Sequence, residues 1–176
     1  IAALSQNKSV LLVGDPGSGK NAMVEALAMM SFSGEMKGNL YHQRIFKLYA
    51  DTLLAGAKDQ GELEKRLDNI ILEISHSGNV IIYIADFENV LGTSSFKIDL
   101  SGVLIPYLKD RTIRVIATAS NGAYRKFIEP SSGIASVLEV IKLPEPDQPT
   151  ALYMLLDKAA SIEKQADSSK TGKRTP

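Results

Sequence analysis

The sequence predicts an α/β fold with strands paired in parallel, and three observations carry that expectation. Five short apolar runs rich in β-branched residues recur along the chain, stripes at helical spacing lie between them, and a glycine-rich turn joins the first run to the first stripe. Parallel pairing follows because a strand can return in the same direction only through a crossover of a dozen or more residues.

The runs are residues 9–13, 45–49, 80–84, 113–117 and 138–143, each too short for an ordinary helix and apolar enough for a buried strand. Between them, Met23, Ala26, Leu27 and Met30 share one helical face, Leu63, Leu67, Ile70 and Ile74 a second, and Leu100, Leu104, Tyr107 and Leu108 a third. A last helix is expected over 148–164, with Leu152, Leu155, Leu156 and Ala159 facing inward. Residues 165–176 are polar and rich in Ser and Lys, and read as a disordered tail or a truncation end, so the expected domain is 1–164. The chain opens on Ile1 rather than Met and reads as a piece of a longer one. It shows no internal repeat.

With 176 residues, 44% of them hydrophobic and 23% charged, the chain fits one domain with a continuous core. Lys plus Arg and Asp plus Glu both total 20, so no net field draws it to nucleic acid or to an acidic membrane, and neither is expected as a partner. The lack of cysteine removes disulfide frameworks, thiol nucleophiles and the usual zinc sites. No apolar run approaches the roughly 20 residues that span a bilayer, and no signal pattern opens the chain, so a cytoplasmic protein is the expectation. His42 and His76 lie far apart without neighbouring ligand residues and read as surface or packing positions; Lys170, Lys173 and Arg174 read as solvated charge.

The chemistry concentrates in Gly14-Asp15-Pro16-Gly17-Ser18-Gly19-Lys20-Asn21, between an apolar strand and an amphipathic helix. Glycines let the backbone wrap closely enough to point its N–H groups at phosphate oxygens, and the helix start adds a favourable dipole. Lys20 would meet the outer phosphates. A glycine-rich turn alone could be a mere tight connection; three correctly spaced glycines followed by Lys point to phosphate binding. Where a Ser or Thr hydroxyl would face Mg²⁺, this chain has Asn21, whose amide oxygen is a differently placed candidate ligand.

These residues support a family resemblance. LLVGDPGSGKNAMVEALA resembles the first-ring Walker A region of ClpB- and ClpC-like unfoldases. LLAGAKDQGELEKRL is similar to their pore-loop segment, NVIIYIADFENVLG to their Walker B strand, and VIATASNGAYRKFIEP to their sensor strand and the turn after it. Ile98-Asp99, Pro106 and Pro144-Glu145-Pro146 fall where that family places similar residues, and the match runs nearly ungapped over about 4–164. The resemblance implies the large subdomain of an AAA+ P-loop NTPase, a five-stranded parallel sheet flanked by helices, with the helical lid missing. It implies ATP or ADP held by Gly14, Asp15, Pro16, Gly17, Ser18, Gly19, Lys20, Asn21 and Ala22, and assembly with other AAA+ subunits into a hexameric ring. It also implies protein substrates threaded through the ring, in some members toward a partner protease.

Several positions depart from the family pattern. Where it ends the Walker B strand in Asp-Glu, this chain has Ala85-Asp86. Ala85 supplies no oxygen to Mg²⁺; Asp86 keeps a carboxylate at the water-activating position on a shorter stem, and reads equally as a solvated strand-end residue. The paired arginines that reach a neighbour's γ-phosphate align with Ser136 and Val137, and such an arginine is worth roughly 10³–10⁵ in turnover. Thr118 or Ser120 could serve as a sensor hydroxyl, or satisfy the turn at Asn121-Gly122. Lys58-Asp59-Gln60-Gly61 lacks the aromatic grip of a pore loop and reads as a solvated loop, while Arg125 and Lys126 match basic residues of the family. Three functions stay open: an ATP-binding ring module impaired in hydrolysis, an active ATPase coupled to protein unfolding, and a nucleotide-free scaffold.

Overall fold

In the computed structural model of the protein, residues 1–54, 59–92 and 99–144 are described. The chain divides into two units, Ile1–Leu143 and Pro144–Pro176, and the first carries everything below. The helix expected over 148–164, the tail over 165–176, and Lys58, Ile98, Glu145 and Pro146 lie outside the described residues.

Helix α1 (Ala2–Ser5) leads into β1 (Ser9–Val13), followed by α2 (Lys20–Phe32) and β2 (Arg44–Leu48). Helices α3 (Ala50–Leu54) and α4 (Gln60–Ser77) precede β3 (Val80–Ile84); α5 (Ser101–Lys109) precedes β4 (Arg114–Ala119). Short helices α6 (Asn121–Ala123) and α7 (Ser132–Val137) then lead to β5 (Leu138–Lys142). The five strands are all parallel, in the order β2-β3-β4-β1-β5.

Because side chains alternate across a strand, the sheet feeds two cores. One face sends Leu11, Val13, Ile82, Ile84, Val115 and Ala117 into a cluster with Leu63, Leu67 and Ile71 of α4, Leu104 and Leu108 of α5, and Ile134 of α7. The other sends Val10, Leu12, Ile81, Tyr83 and Ile116 against Leu4 of α1 and Val24 of α2. The sheet is thus sandwiched between helices, which is the architecture that the resemblance implied.

Three expectations change in detail. The runs at 45–49 and 138–143 are the two edge strands, not buried ones: each pairs on one side only, Phe46 is 54% exposed, and of β5 only Leu138 is buried. Strand order decides this, and periodicity carries no information on strand order. On α2 the inward face is Val24, Leu27, Met30 and Ser31 rather than one including Met23, which is 49% exposed. The loop before α2 sets the helix's rotation, and one residue of slip moves a side chain by about 100°. On α4, Ile71 is fully buried while Ile70 and Ile74 pack at the margin.

Two polar devices hold the frame. Buried Arg114 donates to the Asn39 carbonyl at 2.9 Å and to the Gln43 side chain, fastening the segment before β2 to β4; burial pulls its pKa down. The Asp59 side chain accepts the Glu62 N–H at 2.8 Å, so the residue that stands in the expected pore loop is the N-cap of α4. Removing such a cap costs about 1 kcal/mol, and Asp59→Ala is expected to lower the melting temperature by roughly 2–4 °C. An unchanged melt would show that the cap does not matter to the fold.

Candidate nucleotide site

The loop after β1 is shaped by its neighbours on both sides in the sheet. The Gly14 N–H donates to the Ala119 carbonyl at 3.2 Å, and the Leu143 N–H to the Val13 carbonyl at 2.7 Å. Gly14 is buried with no space for a side chain: a Cβ there would lie 2.7 Å from Ser18 Oγ and 3.2 Å from Leu143 Cβ. Gly17 and Gly19 take φ of 89° and 82°, a left-handed conformation that costs glycine nothing. The Asp15 carboxylate accepts from Asn121 Nδ2 at 2.9 Å, which pins the loop to the turn after β4.

Half-buried Lys20 opens the 13-residue α2 and folds back across the loop, donating from Nζ to the carbonyls of Gly14 at 2.6 Å and Asp15 at 2.9 Å. No acidic residue stands in the first turn of α2 to compete for an anion. A cation held over a loop with two left-handed glycines, at the N-terminus of a long helix, is the arrangement that receives phosphate oxygens.

Ala85 and Asp86 directly follow the last residue of β3. Asp86 is exposed, takes φ 49° and ψ 60°, and its N–H donates to buried Thr118 Oγ1 at 3.3 Å. Left-handed backbone is uncommon outside glycine, and Asp is among the residues that tolerate it. The turn after it is rooted by Phe87, which is fully buried, and by Val90. Ser120 Oγ accepts the Ala123 N–H at 3.1 Å, capping α6. Both sensor candidates therefore accept from backbone N–H groups, Ser120 within its own turn and Thr118 across to Asp86, and both hydroxyls still have a hydrogen to donate. Ser136 and Val137 lie at the other end of the sheet, where Ser9 pairs with Leu138, so neither reaches this loop.

Three residues matter that the spacing did not mark. Asn121, read only as a turn residue, holds Asp15. Glu88 sits half-buried in the turn after Asp86; burial raises its pKa, its own backbone N–H works against the rise, the Asp86 carboxylate adds to it and Lys20 opposes it. A carboxyl raised in the fold binds more protons folded than unfolded between the two pKa values, so stability falls as pH rises through that interval. From about 4.5 upward, Glu88→Gln is expected to flatten this loss, read as a smaller pH dependence of the urea midpoint. Equal slopes in both proteins would show that Glu88 does not carry it.

The third is Tyr83, read as one more apolar strand residue. Its ring is buried, at 5% exposure, and its hydroxyl donates to Asn21 Oδ1 at 2.5 Å. A buried tyrosine needs a partner for its O–H, and that need was the available signal. This bond bears on Mg²⁺, which requires oxygen ligands in near-octahedral geometry and is held in P-loop NTPases by a loop hydroxyl and a strand-end carboxylate. Here the loop oxygen is taken up by Tyr83 and the strand-end position is the methyl group of Ala85. Among the described residues no group of three His, Asp or Glu is placed to hold a metal ion. The residues present do not fit the ion.

A family model described as "ATPase family associated with various cellular activities (AAA)" matches residues 10–138. The chain belongs to the AAA family. Within it, the module is similar to those of Clp-type chaperones. The chaperone protein ClpB of Aquifex aeolicus is 33% identical over 147 residues, which are 82% of this chain and 15% of the relative. That of Mycoplasma genitalium is 33% identical over 156 residues, 86% of this chain and 22% of the relative. Among solved structures, the S. cerevisiae Hsp104:casein complex in its extended conformation matches with TM-score 0.75 and 25% identity, over 88% of this chain and 27% of that one. The S. cerevisiae Hsp104-ADP complex matches with TM-score 0.73 and 26% identity, over 85% and 26%. This AAA chain thus spans about a seventh to a fifth of the length of these two curated relatives. Among its described residues no helix is long and apolar enough to cross a membrane.

Proposed function

We propose that this AAA chain is an ATP-binding module of a Clp-like chaperone ring that holds ATP or ADP and does little hydrolysis of its own. The observation that supports this most is a contrast within the site: Lys20 is held across the loop by Gly14 and Asp15, whereas Ala85 stands where a carboxylate would be. Positioning and charge stabilisation make up nearly all of phosphoryl-transfer catalysis, so an intact cradle without the strand-end carboxylate binds better than it turns over. The backbone of residues 14–19 and the N-terminus of α2 would receive the phosphates, with Lys20 on the outer ones. Asp86, Thr118 and Ser120 are the remaining groups toward an attacking water. Assembly into a hexamer with other AAA+ subunits in the cytoplasm, and work on protein chains, with or without a protease, follow the Clp resemblance.

A melt with and without ATP tests binding. A ligand that selects the folded state stabilises it by about 2.7 kcal/mol at a hundred times Kd, so with a Kd of about 10 μM, ATP at about 1 mM is expected to raise the melting temperature by roughly 5–10 °C. No shift at any ATP concentration would leave the scaffold reading in place. Rapid phosphate release dependent on Asp86 would favour an active ATPase.

A further inference from the structure

We infer that this site takes its nucleotide without a divalent cation, because the Tyr83–Asn21 hydrogen bond and Ala85 together replace the metal's two protein anchors. The inference rests on the nucleotide-binding reading above and specifies the ligand's form: metal-free ATP or ADP rather than its Mg²⁺ complex.

Tyr83 lies on β3 and Asn21 in the first turn of α2, 62 residues apart in sequence, and the bond between them joins the strand to the helix under the loop. The Tyr83 ring is anchored in the core with Val10, Leu12, Val24 and Ile116, so its hydroxyl has little room to turn elsewhere. Turning the Asn21 amide toward a cation would take from the part-buried Tyr83 hydroxyl the acceptor it has in the fold, which costs that hydrogen bond. An amide oxygen has a second lone pair, but its direction is set by the plane that Tyr83 holds. Ala85, two residues along the strand on the same face as Tyr83, offers only a methyl group. The two anchor positions agree with one another: the helix start offers an amide oxygen bonded to Tyr83, and the strand end offers a methyl group. Charge on the phosphates then falls to Lys20, the loop amides and the helix N-terminus, none of which needs a metal to be in place.

Titration of the whole chain with fluorescent ATP in Mg²⁺ and in EDTA tests this. The expected Kd is the same in both within about threefold, while Tyr83→Phe with Ala85→Asp, which opens both anchors, binds on the order of tenfold more weakly in EDTA than in Mg²⁺. Tyr83→Phe alone removes one oxygen and keeps the ring, so it serves if the double variant fails to fold, and Mg²⁺ should then tighten its binding where it does not tighten that of the parent. Wild-type binding weaker in EDTA by on the order of tenfold would overturn the inference and leave the nucleotide site standing. Loss of metal indifference in neither variant would show that Tyr83 and Ala85 are not its cause. Binding in neither medium would remove the nucleotide reading itself, a result distinct from both.

Discussion

Lys20→Ala is expected to weaken ATP and ADP binding by roughly a hundredfold or more, removing the melting shift described above. A charge-assisted hydrogen bond contributes about 1.5–3 kcal/mol, and about 2.7 kcal/mol is a hundredfold in Kd. The effect should sit near the upper end of that range because Lys20 is half-buried and already oriented by the Gly14 and Asp15 carbonyls, so little side-chain entropy remains to be lost on binding. Lys20→Arg separates charge from shape: the guanidinium keeps the charge, but a planar fork cannot repeat two ammonium bonds across so tight a loop. Titration calorimetry on the three proteins decides the matter. Equal affinity in wild type and Lys20→Ala would end the claim that this loop is a phosphate cradle.

Phe87→Ala is expected to be the most damaging single change to stability. Phe87 is fully buried, and truncating a buried phenylalanine costs about 3–5 kcal/mol through lost burial and the cavity left behind. That is a large share of the roughly 5–15 kcal/mol that holds a domain folded, and for this chain length it lowers the melting temperature by roughly 6–20 °C. Phe87 also roots the turn carrying Asp86 and Glu88, so nucleotide affinity should fall with stability. Phe87→Leu keeps most of the volume and should cost less than half as much. A melting temperature within a degree or two of wild type for Phe87→Ala would mean that the turn is held by something else.

Much of this architecture was legible from local patterns. Strands β1 and β3 fall on the expected residues, and the other three are displaced at their ends by one or two. Short apolar runs between turns carry that information because burial on both faces demands it. The glycine positions in the loop were legible for a related reason: left-handed backbone at Gly17 and Gly19, and the crowding at Gly14, favour glycine over other residues. The loss of an oxygen at position 85 was plain from Ala itself. Less legible was Asp59, whose role as the cap of α4 looks in sequence like any polar loop residue, since capping depends on where the helix begins.

Order along the chain, element type and the place of the glycine-rich loop are therefore legible in the sequence alone, because each is marked by residue types at short spacings. Which strands form the edges, which way α2 turns its apolar face, and what Tyr83, Asn21, Asp15 and Asn121 do depend on the folded whole. Tyr83 meets Asn21 across 62 positions and Asp15 meets Asn121 across 106, and no periodicity spans such distances. Those partners meet only when the crossover helices have laid the strands side by side, and that long-range assembly is what turned an apparent Mg²⁺ ligand into one half of a hydrogen bond.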